Sequence, residues 1–346
     1  MARYTALMPA TEARCGRSWQ ARDAARQGRS GVGVDVASWL CRSVTKAACV
    51  AIVAVLCIDR DAAFAESAKN KLLFAANARG RWELFSYELG RVPIRLTADA
   101  HDARAPAVSP DAKRVSYVRS DGSLWILDLV SLAARKVLAT FSNGNGRYGF
   151  PTWINNDEFA YTTYVVTPPT EDSDIYVYSF KQGRQRVLVR QTGAQDLASV
   201  SPGGGSLAYV SSVTTVVTGF GSTITQQMWV ASLRTGNLDQ LVAGAFRDTR
   251  PAWSPDGKKI AFASDRNGGR HVWVVDVESK ALEQVTSGPG DDVDPTWSPD
   301  GRQIAFVSTS TAGTELRVVD VASRRVSVLK PFGSRNVAIR EPVWSK

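Results

Sequence analysis

Cysteine is missing from residues 66–346, since all four (Cys15, Cys41, Cys49 and Cys57) fall within the first 65. No disulfide framework can hold the larger part of the protein, so its stability must come from burial. Histidine is nearly as scarce, with His101 and His271 alone in 346 residues. That argues against a general-base histidine and against a multi-histidine metal site. Long apolar runs are absent too. The run AACVAIVAVLCI (47–58) has 12 residues, short of the roughly 20 a helix needs to span a bilayer. Charge of one sign is not concentrated anywhere. The protein has a formal charge of +9, but residues 66–346 hold 33 basic and 28 acidic side chains, scattered along the sequence. Without a basic bank, nucleic acid is not an expected partner.

The first 65 residues read differently from the rest. Arg42 and Lys46 precede the apolar run, and Ala63-Phe64-Ala65 places small residues at −3 and −1 of a cleavage site. Basic flank, short apolar core and A-x-A together predict a secretory signal peptide cleaved after Ala65. An uncleaved anchor and a buried core helix are the alternatives. Asp59, Arg60 and Asp61 bound the run too closely for the helix, and Leu56 before Cys57 does not suit a lipoprotein signal. The expected division is therefore 1–65, an upstream extension plus signal peptide, and 66–346, the exported domain. No stable membrane insertion is expected after cleavage.

What is abundant is a repeated phrase. Residues 251–257 read PAWSPDG and residues 295–301 read PTWSPDG. Ser-Pro-Asp-Gly suits the four positions of a type I turn: Ser bonds its own backbone, Pro fixes φ, Asp tolerates the bridge region and Gly accepts positive φ. The strand KKIAFAS follows, with Ile260 and Phe262 on one face, so each phrase is a β-hairpin. Variants recur as PAVSPDA (106–112), PTWINND (151–157) and LASVSPGG (197–204), at spacings of 44 to 53 residues. Each is followed by three more strand-like runs. A repeat of that length holding four short strands is a propeller blade. The first repeat, from KLLFAA (71–76), lacks the opening strand, while EPVWSK (341–346) is an opening strand with no successors. The fold class expected is all-β: a six-bladed propeller of four-stranded antiparallel blades, closed by the C-terminal strand completing the first blade.

The WSPDG hairpins, the I-A-F strand after them, the Ser264-Asp265-Arg266 turn and the terminal PVWS strand resemble the TolB-type propeller repeat. The resemblance covers essentially all of 66–346. It implies an exported, periplasmic propeller that works by binding proteins at the cell envelope, in TolB itself as part of the Tol–Pal system. Two features depart from the family pattern. TolB carries an α/β domain ahead of its propeller, whereas here the first blade begins almost at the cleavage site. Ile154-Asn155-Asn156 and Pro202-Gly203-Gly204 also stand where the other repeats have Ser-Pro-Asp.

Candidate chemistry is thin. His101 lies with Asp99 and Asp102, a weak metal-like cluster that reads better as a solvated loop. Asp291, Asp292 and Asp294 match no dedicated Ca²⁺ loop and read as an acidic rim. Gly144, Gly146 and Gly149 spell G-x-G-x-x-G, but between strands of successive blades, where a flexible loop rather than a dinucleotide site is expected. A G-x-S-x-G elbow is lacking, which argues against propeller-capped peptidases. Trp153, Trp253, Trp297 and Trp344 recur at one strand position and are expected as core between blades. No catalytic residue, metal or cofactor is assigned.

Strand order fixes which face could bind. Connections entering the inner strand and those joining second and third strands share one face; the Ser-Pro-Asp-Gly turns lie on the other. On the first face the sequence inserts 165–173 in blade 3 and 213–225 in blade 4, and variable loops carry function. Residues just before each inner strand, Arg104, Phe150, Leu197, Arg250, Asp294 and Glu341, are expected to ring the channel mouth. Mixed charge around an aromatic suits a protein or peptide, although the same residues could simply line a water-filled channel. The expected function is a monomeric periplasmic interaction module docking an envelope protein or peptide. The alternative is a propeller enzyme, of lactonase or polysaccharide lyase type, with a metal or carboxylate site at the channel.

Overall fold

The computed structural model describes residues 71–141, 146–167, 170–191, 193–217 and 221–345. The expected signal peptide, its expected cleavage site and all four cysteines lie outside these residues.

The described residues form 24 strands in six four-stranded antiparallel sheets. Blade 1 contains β1 (Leu72–Asn77), β2 (Trp82–Tyr87) and β3 (Ile94–Arg95); its inner strand is β24 (Ala338–Trp344). Blade 2 runs from β4 (Ala103–Val108) to β7 (Ala134–Leu138) and blade 3 from β8 (Gly146–Trp153) to β11 (Arg184–Val189). Blade 4 spans β12 (Ala194–Val200) to β15 (Leu238–Val242) and blade 5 β16 (Thr249–Trp253) to β19 (Leu282–Gln284). Blade 6 spans β20 (Asp291–Trp297) to β23 (Val326–Leu329). The ring closes as its sequence implied: β24 pairs antiparallel with β1, Leu72 opposite Trp344 and Asn77 opposite Ala338. Closure removes the two open edges a linear array would carry.

The hairpin turns fold as their residues dictate. Gly257 N–H donates to Ser254 O (2.9 Å) at φ 70°, Ser254 Oγ donates to Asp256 Oδ1 (2.6 Å), and Lys259 N–H donates to Ser254 Oγ (2.9 Å). Ser298–Gly301 repeats these bonds, and Ser109–Ala112 does so with Ala112 at φ 55°. In blade 3 the Asn155 side chain substitutes, accepting from Asp157 N–H and Glu158 N–H at 2.7 and 2.9 Å.

Each of the six hydrophobic clusters lies between adjacent blades. Ile260 and Phe262 face blade 4, while Ala261 on the other face of the same strand meets blade 6. Ile304 and Phe306 repeat this toward blade 5, with Ala305 toward blade 1. Large residues on one face and small ones on the other let flat sheets pack around an axis. The tryptophans are core, as expected, and they also fasten blades together. Nε1 of Trp153, Trp253 and Trp297 donates to Ala107 O, Ser199 O and Ala252 O of the preceding inner strand, at 3.0–3.1 Å.

Two segments read as loops are strands. Residues 165–167 and 170–173 belong to a ten-pair hairpin of β9 (Glu158–Thr167) and β10 (Thr170–Ser179). Residues 213–217 and 221–225 belong to a twelve-pair hairpin of β13 (Ser206–Val217) and β14 (Gly221–Ser232). Gly146 and Gly149 are not in a flexible loop either; both lie in β8, and Gly144 is outside the described residues. A Cβ on Gly149 would stand 2.7 Å from the Tyr164 ring, and one on Gly146 2.8 Å from Phe141. Close packing explains these glycines.

Candidate binding site at the channel mouth

The six inner strands surround a cavity of about 380 Å³. It is bordered by Ala105, Phe150, Leu197, Arg250, Asp294 and Glu341, one residue from each inner strand. Five of these are the residues picked out by sequence. The sixth is Ala105 rather than Arg104, a correction of one position: the other five directly precede the Pro or Ala that opens the repeat phrase, and before Pro106 that residue is Ala105. Nor do the six stand ahead of the strands. They lie within them, at a register shift where each inner strand bulges against the second strand.

Arg250 organises the charge. Its Nε lies 3.1 Å from Asp294 Oδ1 and its Nη2 3.1 Å from Glu341 Oε1. Its Cζ sits 4.0 Å from the centroid of the Phe150 ring. Burial works against its charge, but Asp294 and Glu341 more than offset this and raise its pKa. Arg104, although not part of the cavity wall, reaches inward to Glu341 at 3.7 Å. Both carboxylates are also fixed by backbone: Asp294 Oδ2 accepts from Glu341 N–H (3.1 Å) and Glu341 Oε2 from Ala105 N–H (2.6 Å). Phe150 and Leu197 are the half-buried apolar members.

Two residues not expected from sequence complete the site. Asp196 takes hydrogen bonds from Leu197 N–H and from the Tyr164 hydroxyl of blade 3. Burial pushes the Asp196 carboxyl above the usual range, against the pull of those bonds and of Arg250. Burial, with the Asp196 charge beside it, likewise raises Tyr164. Arg147 lies over the Tyr164 ring at 4.8 Å.

The metal-like clusters separate. Asp99 pairs with Arg119, Asp102 Oδ1 accepts from Trp82 N–H (3.1 Å), and His101 is exposed. The expected acidic rim is corrected as well. Asp291 pairs with Arg270 at 3.0 Å on the surface, but Asp292 is only 4% exposed and Asp294 turns into the channel. Among the described residues no group of three His, Cys, Asp or Glu could hold a metal ion. No described helix is long and apolar enough to cross a membrane.

Residues 220–346 match the TolB beta propeller domain. Solved structures with this fold include TolB from Acinetobacter baumannii, with 18% identity and a TM-score of 0.63, over 80% of this chain and 66% of that one. The putative TolB from Agrobacterium tumefaciens matches at 21% identity and TM-score 0.56, over 78% of this chain and 98% of that one. Oligogalacturonate lyase from Vibrio parahaemolyticus matches at 16% identity and TM-score 0.53, over 75% and 74%. The protein thus spans just under two thirds of the Acinetobacter protein's length. These likenesses show the fold, and the fold is shared by binding proteins and enzymes alike.

Proposed function

We propose that this propeller, which resembles that of TolB, is a periplasmic interaction module docking an envelope protein or peptide over the channel mouth. One observation carries this reading. Half-buried Phe150 and Leu197 stand with an ion-paired Arg250 at the end of the cavity nearest the β9–β10 and β13–β14 hairpins, and from there the cavity runs down the inner strands toward Pro110, Ile154 and Pro202. Apolar anchors beside fixed charges suit a peptide-sized partner, because little side-chain freedom remains to be lost on binding. Periplasmic location rests on the TolB resemblance and on the apolar run at 47–58. A lactonase or lyase reading would require free carboxylates, yet Asp294 and Glu341 are both held by Arg250.

The test is affinity capture from envelope extract. Phe150→Ala with Leu197→Ala should weaken capture about thirtyfold or more, the loss of a 2 kcal/mol anchor, while the fold persists. Lys258→Ser, exposed on the opposite face, should leave capture unchanged. Loss in the control with capture intact in the double variant would overturn the assignment.

A further inference from the structure

Ala105, Phe150, Leu197, Arg250, Asp294 and Glu341 all adopt positive φ, between 45° and 57°. None is glycine, so each carries the steric penalty of left-handed backbone. Six such residues at equivalent bulges call for a common purpose. Two of them show it. Glu341 N–H donates to Asp294 Oδ2 and Ala105 N–H to Glu341 Oε2, so the bulge turns the backbone N–H toward the channel. In both cases the acceptor belongs to the equivalent residue one blade earlier. Leu197 N–H is met instead by its neighbour, Asp196.

Followed round the ring, this relay breaks. Phe150, Arg250 and Asp294 are preceded by Ala105, Leu197 and Arg250, whose side chains contain no acceptor. The three steps are not equivalent. Asp196 stands beside Leu197, and Asp294 brings its own carboxylate, so both later steps repel an anion. The Ala105–Phe150 step has the smallest side chain of the ring. Arg250 lies over the Phe150 ring there, while Arg104, on the same strand as Ala105, turns to Glu341 and the Trp82 ring of blade 1.

The geometry points to the Ala105–Phe150 step as a binding site for a partner's carboxylate, from an acidic side chain or a C-terminal residue, accepting from Phe150 N–H. The ligand group takes the place that Asp294 and Glu341 fill for the next two blades. Charge-assisted bonds of this kind are short and strong, and the Arg250 guanidinium over the Phe150 ring favours the anion over water. The inference rests on the reading of the mouth as a partner site and adds the chemistry of what enters it.

The experiment is a titration of ¹⁵N-labelled exported protein, following the Phe150 amide. The probes are N-acetylglycine, for a C-terminal carboxylate, and N-acetylglutamic acid α-amide, for an acidic side chain. N-acetylglutamine amide is the neutral isostere. A saturable downfield shift at Phe150 is expected with at least one acid, and which acid binds more tightly identifies the source. The isostere should bind about tenfold more weakly or worse. Ala105→Glu supplies the carboxylate internally, at a φ that Glu341 already tolerates. It should move the Phe150 amide without ligand and abolish probe binding. No saturable shift with either acid, or equal binding of the isostere, overturns the proposal, and this wild-type titration decides even if the variant fails to fold. Envelope-partner capture unimpaired by a folded Ala105→Glu overturns it too, while leaving the mouth itself as the partner site.

Discussion

Removing residues 341–346 should cost the protein its fold. The truncation deletes Trp344 and Val343, which pair with Leu72 and Leu73, and it leaves the inner edge of β1 open. It also removes Glu341, which links Arg250, Arg104 and Ala105. Trp344 is 7% exposed and packs with Leu72, Phe74, Leu316 and Val318 in the cluster joining blades 6 and 1. Losing a buried Trp costs about 3–5 kcal/mol, a large share of the ~5–15 kcal/mol that holds a domain. The cost here is packing alone, because Trp344 Nε1 has no hydrogen-bond partner, unlike Trp297. A graded version is Trp344→Ala, which should lower the melting temperature by roughly 6–20 °C at about 2–4 °C per kcal/mol. Thermal denaturation followed by near-UV circular dichroism, with size-exclusion chromatography, reads both. The truncated protein should elute as aggregate or lack a cooperative transition. A peptide spanning 335–346, added in trans, should restore the transition by refilling the strand. A truncated protein that melts like the full-length one would refute the pairing of β24 with β1.

Two further outcomes follow from buried and capped charges. Arg266 pairs with Asp248 at 2.8 Å, with 9% and 2% of the side chains exposed, so Arg266→Ala strands a buried carboxylate. It should cost about 3–5 kcal/mol by urea denaturation, and Asp248→Asn in the same protein should recover part of that. A loss under about 1 kcal/mol would mean the pair is not buried as described. Stability should also fall in acid. Hydrogen bonds from Ser131, Ser279 and Ser323, backbone N–H first, hold Asp128, Asp276 and Asp320 below the usual carboxylate range. The hydroxyls of Ser254 and Ser298 do the same for Asp256 and Asp300. Depressed folded-state values contribute stability that is complete above the unfolded value, about 4, and lost as pH falls through the folded one. Asp121 and Asp291 are lowered too, so Asp196, raised by burial, works in the opposite sense against seven. Melting temperature should therefore be level from neutral pH to about 5 and decline below about 4; a rise on acidification would contradict the caps.

The fold was legible because its signals are local. Ser254, Asp256 and Lys259 make their contacts within five residues, so the turn is written where it forms. The same turn at regular spacing then marks the blades, and the strand missing at one end matches the strand left over at the other. The site was legible only in outline. Left-handed φ at the bulge is taken by Ala, Phe, Leu, Arg, Asp and Glu, so no residue type announces it, and Arg104 was chosen where Ala105 stands. Glu341 and Ala105 are 236 residues apart, and Asp196 meets Tyr164 from the next blade, contacts that no local pattern encodes. The two inserts were misread as loops although 213–217, VTTVV, is β-branched throughout, a strand signal in its own right.

The measurement that tests the central claim most directly is photo-crosslinking in cells that make the protein. A benzophenone amino acid is placed at Leu197 in the channel mouth and, separately, at Lys258 on the opposite face. The account predicts one discrete envelope-protein adduct at position 197, abolished by Phe150→Ala, and none at 258. An adduct at 258 with none at 197 would contradict it.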